Sequence, residues 1–221
     1  MNVGDDNGNY RVGINDNSLT FLGNGDDTFF GGRYKDVIIG GTEKDAIAGG
    51  QGNDIIHGGD DDDDVIRGGE KRDWIYGEEG DDSLNGGTGD DLLYGGAGND
   101  TYYINADHGN DTIHDFEGFG MLVLGDELGA DDYSLHIDIN NGISLVNTET
   151  GETIAIDISD ICIGHISAAM ESRQKLPFRN RIFLQIHIAD SHLYDGPKRY
   201  LNNRLQSQRA ADFLYRFQVI L

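Results

Sequence analysis

A nine-residue period runs through the first half of the chain and limits the folds that it can adopt. Each row ends in the pattern Asp-x-U-x, where U is a large apolar residue. The rows are LGNGDDTFF (22–30), GGRYKDVII (31–39), GGTEKDAIA (40–48), GGQGNDIIH (49–57), GGDDDDDVIR (58–67), GGEKRDWIY (68–76), GEEGDDSLN (77–85), GGTGDDLLY (86–94), GGAGNDTYY (95–103) and ADHGNDTIH (106–114). A disordered chain does not keep register over so many rows, so the period indicates a repetitive fold.

Two columns of residues define the register of the rows. The first column is always aspartate: Asp27, Asp36, Asp45, Asp54, Asp64, Asp73, Asp82, Asp91, Asp100 and Asp111. The second is always large and apolar: Phe29, Ile38, Ile47, Ile56, Ile66, Ile75, Leu84, Leu93, Tyr102 and Ile113. Row 58–67 is one residue too long, and a two-residue spacer precedes row 106–114.

Composition narrows the classes of partner. The chain of 221 residues has a formal net charge of -24, which repels phosphates and disfavours nucleic acid while attracting cations. Cys162 is the single cysteine, so no intrachain disulfide is expected. We expect neither a cleavable secretion signal at the N-terminus nor a membrane span, because no basic-then-apolar leader or run of about 18 apolar residues occurs.

The two parts of a row have different tasks. The glycine-rich part permits positive φ and can turn backbone carbonyls towards one point. The last three residues predict a short strand whose central side chain points inward. Two rows then make one coil of about 18 residues, and the aspartates of stacked coils come within about 4.8 Å of each other.

Such carboxylates repel each other unless a cation lies between them. The turns offer oxygen ligands, which favour calcium over zinc, and magnesium is the second choice because it demands a tighter octahedron.

The rows resemble the RTX (repeats-in-toxin) nonapeptide G-G-x-G-x-D-x-U-x, also called the haemolysin-type repeat. The resemblance covers residues 22–114 and weakens over 115–158. It implies an all-β fold, a right-handed parallel β-roll with C-terminal capping strands. It also implies calcium (Ca²⁺) as the ligand, passage through type I secretion machinery, and folding on calcium outside a bacterial cell.

The family's ligand pattern, carried over, implies four sites between a row and the row two later. The first uses Glu78, Gly80 and Asp82 with Gly95, Ala97 and Asp100. The second uses Gly87, Gly89 and Asp91 with Ala106, His108 and Asp111. The third uses Gly50, Gly52 and Asp54 with Gly68, Glu70 and Asp73. The fourth uses Gly23, Gly25 and Asp27 with Gly40, Thr42 and Asp45.

Some rows depart from this pattern. In the run Asp60–Asp64, only Asp64 falls in the ligand column, so the densest acidic stretch is not expected to be the best site. Rows with Tyr34, Glu43 and Lys71 at the fourth position have a basic residue before the aspartate. One hypothesis is that Lys35, Lys44 and Arg72 replace an ion there; ordinary surface variation is the alternative.

We predict four segments: a degenerate opening segment (1–21), the β-roll (22–114), capping strands (115–158) and a basic, glycine-poor tail (159–221). The tail could be a secretion signal or a separate module, with a strand pair over 176–194 and an amphipathic helix over 200–221. Outward residues of alternate rows, including Trp74, Tyr76 and Tyr94, predict an aromatic sheet face. Either residues 133–221 cover this face, or a glycan or protein docks there.

No catalytic constellation is evident: the chain has no HExxH or GxSxG motif, and Cys162 with His165 lacks a third member. We therefore expect a secreted, extracellular calcium-binding module that is not an enzyme. The alternatives are the non-catalytic C-terminal region of a secreted enzyme (a metalloprotease, lipase or mannuronan epimerase) and a surface adhesion module.

Overall fold

The structure is a computed structural model that describes residues 2–3, 8–13, 16–60, 63–115, 117–125, 127–128, 132–138, 142–157, 166–170, 184–189 and 214–220. Within these residues the chain forms strands and turns, and it has no helix long and apolar enough to cross a membrane.

The strands follow the predicted rows. They are β1 (Asn2–Val3), β2 (Tyr10–Val12), β3 (Ser18–Asn24), β4 (Thr28–Phe30), β5 (Asp36–Thr42), β6 (Ala46–Gln51), β7 (Ile55–Asp60), β8 (Val65–Glu70), β9 (Trp74–Glu79), β10 (Ser83–Thr88), β11 (Leu92–Gly98), β12 (Thr101–Ile104), β13 (Asn110–His114), β14 (Glu117–Leu124), β15 (Tyr133–Asp138), β16 (Gly142–Asn147), β17 (Thr153–Asp157), β18 (Ile166–Met170), β19 (Leu184–Ala189) and β20 (Leu214–Ile220).

Alternate rows build two parallel sheets. Sheet A contains the odd-numbered strands from β1 to β13, and sheet B contains the even-numbered strands from β2 to β14. Each strand pairs with the strand one coil later, as in Ile38 with Ile56. This arrangement is the predicted β-roll.

The extra residues fall in turns and leave the register intact. Across the ten-residue row, Ile56 pairs with Ile75, a step of nineteen instead of eighteen. Across the spacer, Leu93 pairs with Ile113. Asp64 and Ile66 therefore lie in the two columns, as predicted from the sequence, and Asp63 is exposed.

The core is the apolar column. Its members from Phe29 to Ile113 are at most 3% exposed, and they form one cluster with Leu22 and Leu122. Fully burying a side chain of this size contributes about 1.5–3 kcal/mol. Because neighbours in the column come from different coils, this stabilisation appears only when the coils stack.

The nine-residue frame extends upstream of the predicted roll. β2 pairs with β4, and β3 pairs with β5, both in parallel. Asn9 and Ser18 occupy the aspartate column there, and their N–H groups donate to Asp27 and Asp36. The opening segment is thus degenerate in sequence but continues the roll.

The C-terminal strands extend both sheets. β15, β16 and β17 form an antiparallel meander, and β17 pairs with β13 in parallel, so the predicted hairpins are present at the end of sheet A. β18, β19 and β20 pair antiparallel, and β20 pairs in parallel with β14 of sheet B.

One prediction for this region needs correction. The helix predicted over 200–221 is wrong for 214–220, where LYRFQVI forms β20; aromatic and β-branched residues favour a strand. The described strands of 133–157 extend sheet A edge to edge, and Trp74 remains 42% exposed. Most of the remaining tail lies outside the described residues, so its packing over the aromatic face stays a prediction.

Candidate metal centre along the aspartate columns

The aspartate column is buried and held by its own hydrogen bonds. All ten of its side chains are at most 2% exposed. The Asp73 N–H donates to Asp91 Oδ1 at 2.8 Å, and the Asp82 N–H donates to Asp100 Oδ1 at 3.0 Å. The same bond joins each described coil from Asp27 to Asp111. One carboxylate oxygen per row therefore fixes the turn of the preceding coil.

The second carboxylate oxygen has no partner in most rows. Seven Oδ2 atoms are buried without a hydrogen-bond donor: those of Asp27, Asp45, Asp54, Asp73, Asp82, Asp91 and Asp100. Burying an ionised oxygen without a partner is costly. A bound cation would coordinate these unpartnered Oδ2 atoms, which recur from row to row.

The electrostatics of the column agree with this reading. Burial, as the largest cause, raises the pKa of Asp73 and Asp82 to about 8, and it raises that of Asp45 and Asp91 to about 7. The neighbouring column carboxylates raise these pKa values further. Without a cation, these four aspartates would therefore hold protons near neutral pH.

The turns bring backbone carbonyls next to the aspartates. In each of the four predicted sites, an N–H at the fourth position of the earlier row donates to a carbonyl at the third position of the later row. The pairs are Gly25 to Thr42 (3.2 Å), Gly52 to Glu70 (3.2 Å), Gly80 to Ala97 (2.9 Å) and Gly89 to His108 (3.1 Å). A carbonyl oxygen has a second lone pair, so these four can still bind an ion.

Two predicted sites show a carboxylate and a carbonyl converging. A Cβ placed on Gly77 would lie 2.2 Å from Asp82 Oδ2 and 2.5 Å from the Gly95 carbonyl oxygen. A Cβ on Gly49 would lie 2.5 Å from Asp54 Oδ2 and 2.7 Å from the Gly68 carbonyl oxygen. Glycine at the first position keeps this space open between oxygens of successive coils.

Left-handed backbone recurs at the second and fourth positions of the rows. Gly80, Gly87 and Gly89 have φ values of 128°, 104° and 139°. Where glycine is missing, Glu78 and Lys71 still adopt φ values of 81° and 78°. The turn geometry therefore persists in rows that depart from the glycine pattern, at the cost of local strain.

The donor set fits calcium. Among the described residues, no three or more His, Cys, Asp and Glu side chains gather in a manner suited to a metal. Zinc sites need such side chains, whereas calcium accepts a shell in which carbonyls outnumber carboxylates. The orphaned Oδ2 atoms and the turn carbonyls are oxygen ligands that calcium prefers.

The basic residues do not replace an ion by contact. Lys35, Lys44 and Arg72 are exposed, and in the described part of the chain none of them pairs with a column carboxylate. Lys35 lowers the pKa of Asp54 and Arg72 lowers that of Asp91, but burial is the largest cause at both and raises the pKa. The basic residues thus act on the column from a distance, and replacement of an ion by them stays a prediction.

The aromatic face of sheet A carries a stack of four rings. His57, Tyr76, Tyr94 and His114 stack in that order, with ring centroids 4.6, 4.7 and 4.4 Å apart and planes within 10° of parallel. His57 Nδ1 lies 2.9 Å from Glu78 Oε1, and His114 Nδ1 lies 3.2 Å from Asp157 Oδ2. The inner ring faces are covered by one another, so a sugar cannot stack on them.

Sequence reasoning missed one cluster. Tyr102, read as a core residue, donates its hydroxyl to Asp115 Oδ2 at 3.0 Å. Burial, and then the charge of Asp100, raises the pKa of Asp115 to about 7. The signal in the sequence is that Asp115 follows the last row at the first position, where most rows have glycine.

Fold and site together define a calcium-binding repeat protein: a parallel β-roll with buried carboxylates at its turns. Comparison with known families agrees, because the RTX calcium-binding nonapeptide repeat matches residues 21–56, 39–69, 58–93 and 67–102 in four copies. Residues 21–102 thus carry the repeat that this family model describes. In that family the repeat is a structural module that binds calcium.

The other comparisons add little. No curated protein matches the chain significantly. Among solved structures, the chain is similar to the extracellular lipase LipA from Serratia marcescens, with 15% identity and a TM-score of 0.27. That match covers 62% of this chain and 40% of the lipase, so the matched part spans less than half the length of that protein.

Proposed function

We propose that this chain is a secreted module whose β-roll folds when calcium binds along its aspartate column outside the bacterial cell. The observation that carries the proposal is the series of seven buried Oδ2 atoms without a donor. The four ligand sets from Gly23 to Asp111 are the proposed sites, and the role of the roll is binding and structural, without catalysis.

The charge of the chain supports coupling between calcium and folding. A formal net charge of -24 opposes a compact state through self-repulsion. An ion that binds only the folded chain shifts the equilibrium towards it. In a calcium-poor cytoplasm the rows would stay unfolded and could pass a secretion channel, and external calcium would then fold them.

Circular dichroism during a calcium titration tests the coupling. The full chain in chelator at pH 7.5 should show little strand signal, and calcium should restore it cooperatively. Magnesium at equal concentration is the matched control and should act more weakly, since it demands near-octahedral geometry at about 2.0–2.1 Å. Strand signal that is present in chelator and unaffected by calcium would refute the proposal.

Export through a type I channel belongs to the same proposal, with residues 159–221 as its address. Deleting 159–221 should abolish export from a host that carries such a channel, and should leave calcium-induced strand formation by the roll in place. Loss of β20 would remove a pairing with β14, so the purified truncated chain must be shown to bind calcium before export is compared. Unchanged export of a calcium-competent truncation would refute this assignment.

A further inference from the structure

The aspartate column ends in an unusual way at the C-terminal end of sheet B. The described residues 117–123 continue the nine-residue frame, because β14 pairs with β12 through Thr101 with Met121 and Tyr102 with Leu122. In this row Gly120 occupies the aspartate position. The regular pattern therefore gives Asp100 no carboxylate partner in the next coil.

Asp115 supplies a carboxylate to the same turn from a different position. It lies at the first position of its row, in register with Gly95, because β11 pairs with β14 through Ala97 with Glu117 and Gly98 with Gly118. The nonapeptide pattern has glycine at this position and offers only a carbonyl. This row thus has aspartate at 115, where the pattern has glycine, and glycine at 120, where the pattern has aspartate.

Three side-chain oxygens meet at this turn. Asp100 is fully buried, with Oδ1 accepting the Asp82 N–H at 3.0 Å and Oδ2 left without a donor. A Cβ on Gly95 would lie 2.1 Å from Asp100 Oδ2 and 2.2 Å from the Tyr102 hydroxyl. That hydroxyl is hydrogen-bonded to Asp115 Oδ2 at 3.0 Å, so the orphaned oxygen points into a space bordered by a second carboxylate.

We propose that Asp100 and Asp115 hold an additional calcium ion at the C-terminal end of the roll, with Tyr102 positioning the Asp115 carboxylate. The proposal rests on calcium binding by the regular turns, and it adds a site that the repeat pattern does not contain. The remaining ligands would be carbonyls of the paired turns 96–98 and 117–118. Such an ion would tie the last coil to β14, onto which β20 pairs.

Counting bound ions tests this site. Equilibrium dialysis of the full chain with radioactive calcium at pH 7.5 should give one ion fewer for Asp115→Asn than for the wild type. Asp107→Asn is the matched control: it removes one charge from the same end of the roll, at an exposed residue whose φ of 59° asparagine tolerates. It should keep every ion.

The outcomes separate the two levels of the argument. A wild-type chain that binds no calcium refutes the proposed function. A wild type that binds calcium, with Asp115→Asn matching Asp107→Asn in ion number and affinity, refutes only the additional site.

A direct readout on the wild type covers the case in which Asp115→Asn fails to fold. Terbium, which takes the same oxygen ligands as calcium, gives anomalous scattering in crystals of the loaded chain. A peak at bonding distance, about 2.3–2.6 Å for calcium, from carboxylate oxygens of both Asp100 and Asp115 supports the site. Peaks in the regular turns with none between these two residues would overturn it.

Discussion

Asp90 and Asp91 are adjacent carboxylates that the fold places in opposite environments. Asp91 is 1% exposed, its Oδ1 accepts the Asp73 N–H at 2.8 Å, and its Oδ2 has no donor. Asp90 is exposed, and its Oδ1 accepts two hydrogen bonds from Asn110, at 2.9 and 3.1 Å. Substitution of either by asparagine preserves shape and removes one negative charge, so the pair isolates the role of the column.

Asp91→Asn should weaken calcium binding strongly. Its amide oxygen can still accept the Asp73 N–H, but an uncharged nitrogen that cannot coordinate calcium then replaces Oδ2. A hydrogen bond to a charged group contributes about 1.5–3 kcal/mol. If the lost ligand contact is of this size, the calcium affinity of the affected site should fall by about ten- to hundredfold. Asp90→Asn removes an exposed charge worth about 0–1 kcal/mol, so its effect should stay below about fivefold.

Isothermal titration calorimetry at pH 7.5, with circular dichroism of the same samples, measures both affinity and folding. In chelator above pH 7, Asp91→Asn should hold at least as much strand signal as the wild type, because it removes a buried charge that opposes folding. Equal shifts in calcium affinity for the two variants, or an unchanged affinity for Asp91→Asn, would show that the buried column does not bind the ion.

Three further predictions concern the core, the turns and pH. Ile75→Ala should lower the free energy of unfolding by about 2–5 kcal/mol, measured in guanidinium with saturating calcium, because Ile75 is fully buried. The control Val65→Ala, at a side chain 43% exposed, should change it by about 0.5 kcal/mol or less. Similar costs for the two variants would contradict the assignment of the core. Gly98→Ala should raise the calcium midpoint of folding, because its Cβ would lie 1.9 Å from the Gly80 carbonyl oxygen, a proposed ligand. Gly151→Ala is the control: it is also at positive φ but has nothing within 4 Å, so it should raise the midpoint less, by the backbone strain alone. An equal or larger effect of the control would refute the steric argument. In chelator, the strand signal should be highest near pH 4 and decline towards pH 8. The folded state raises the pKa of Asp73 and Asp82 from 3.8 to about 8, so between these values it binds protons that the unfolded chain has lost. A strand signal that grows with pH would contradict those shifts.

The repeat pattern was sufficient to predict the roll because its two columns are determined by burial. Ile66 and Asp64 are correctly placed in spite of the extra residue in their row, since only one register puts an apolar residue inside. Asn9 and Ser18 were missed as members of the aspartate column because their rows lack both the aspartate and the apolar residue. The tail strand at 214–220 was missed because strand pairing with β14 decides its structure, and local spacing does not show that pairing.

The candidate site was only partly predictable for a related reason. Spacing predicts which aspartates stack, but it does not show that Oδ1 of each one is already used by a backbone N–H one coil earlier. That bond orients the carboxylate and leaves Oδ2 facing the turn. The Asp115 cluster was missed because its row lacks the column aspartate, and its contact with Tyr102 depends on the pairing of β12 with β14 that the structure shows.

The two oxygens of each column carboxylate have different partners, which explains why aspartate fills the column. Asparagine, as at Asn9, could accept or donate one hydrogen bond but would bring no charge to an ion. Glutamate would bring charge, but its longer side chain would move the carboxylate away from the N–H of the coil before. Aspartate alone can hold the preceding coil through Oδ1, at 2.7–3.0 Å in every described coil from Asp27 to Asp111, and offer Oδ2 to a cation. The bond that builds the roll and the oxygen that destabilises it without calcium thus belong to the same side chain.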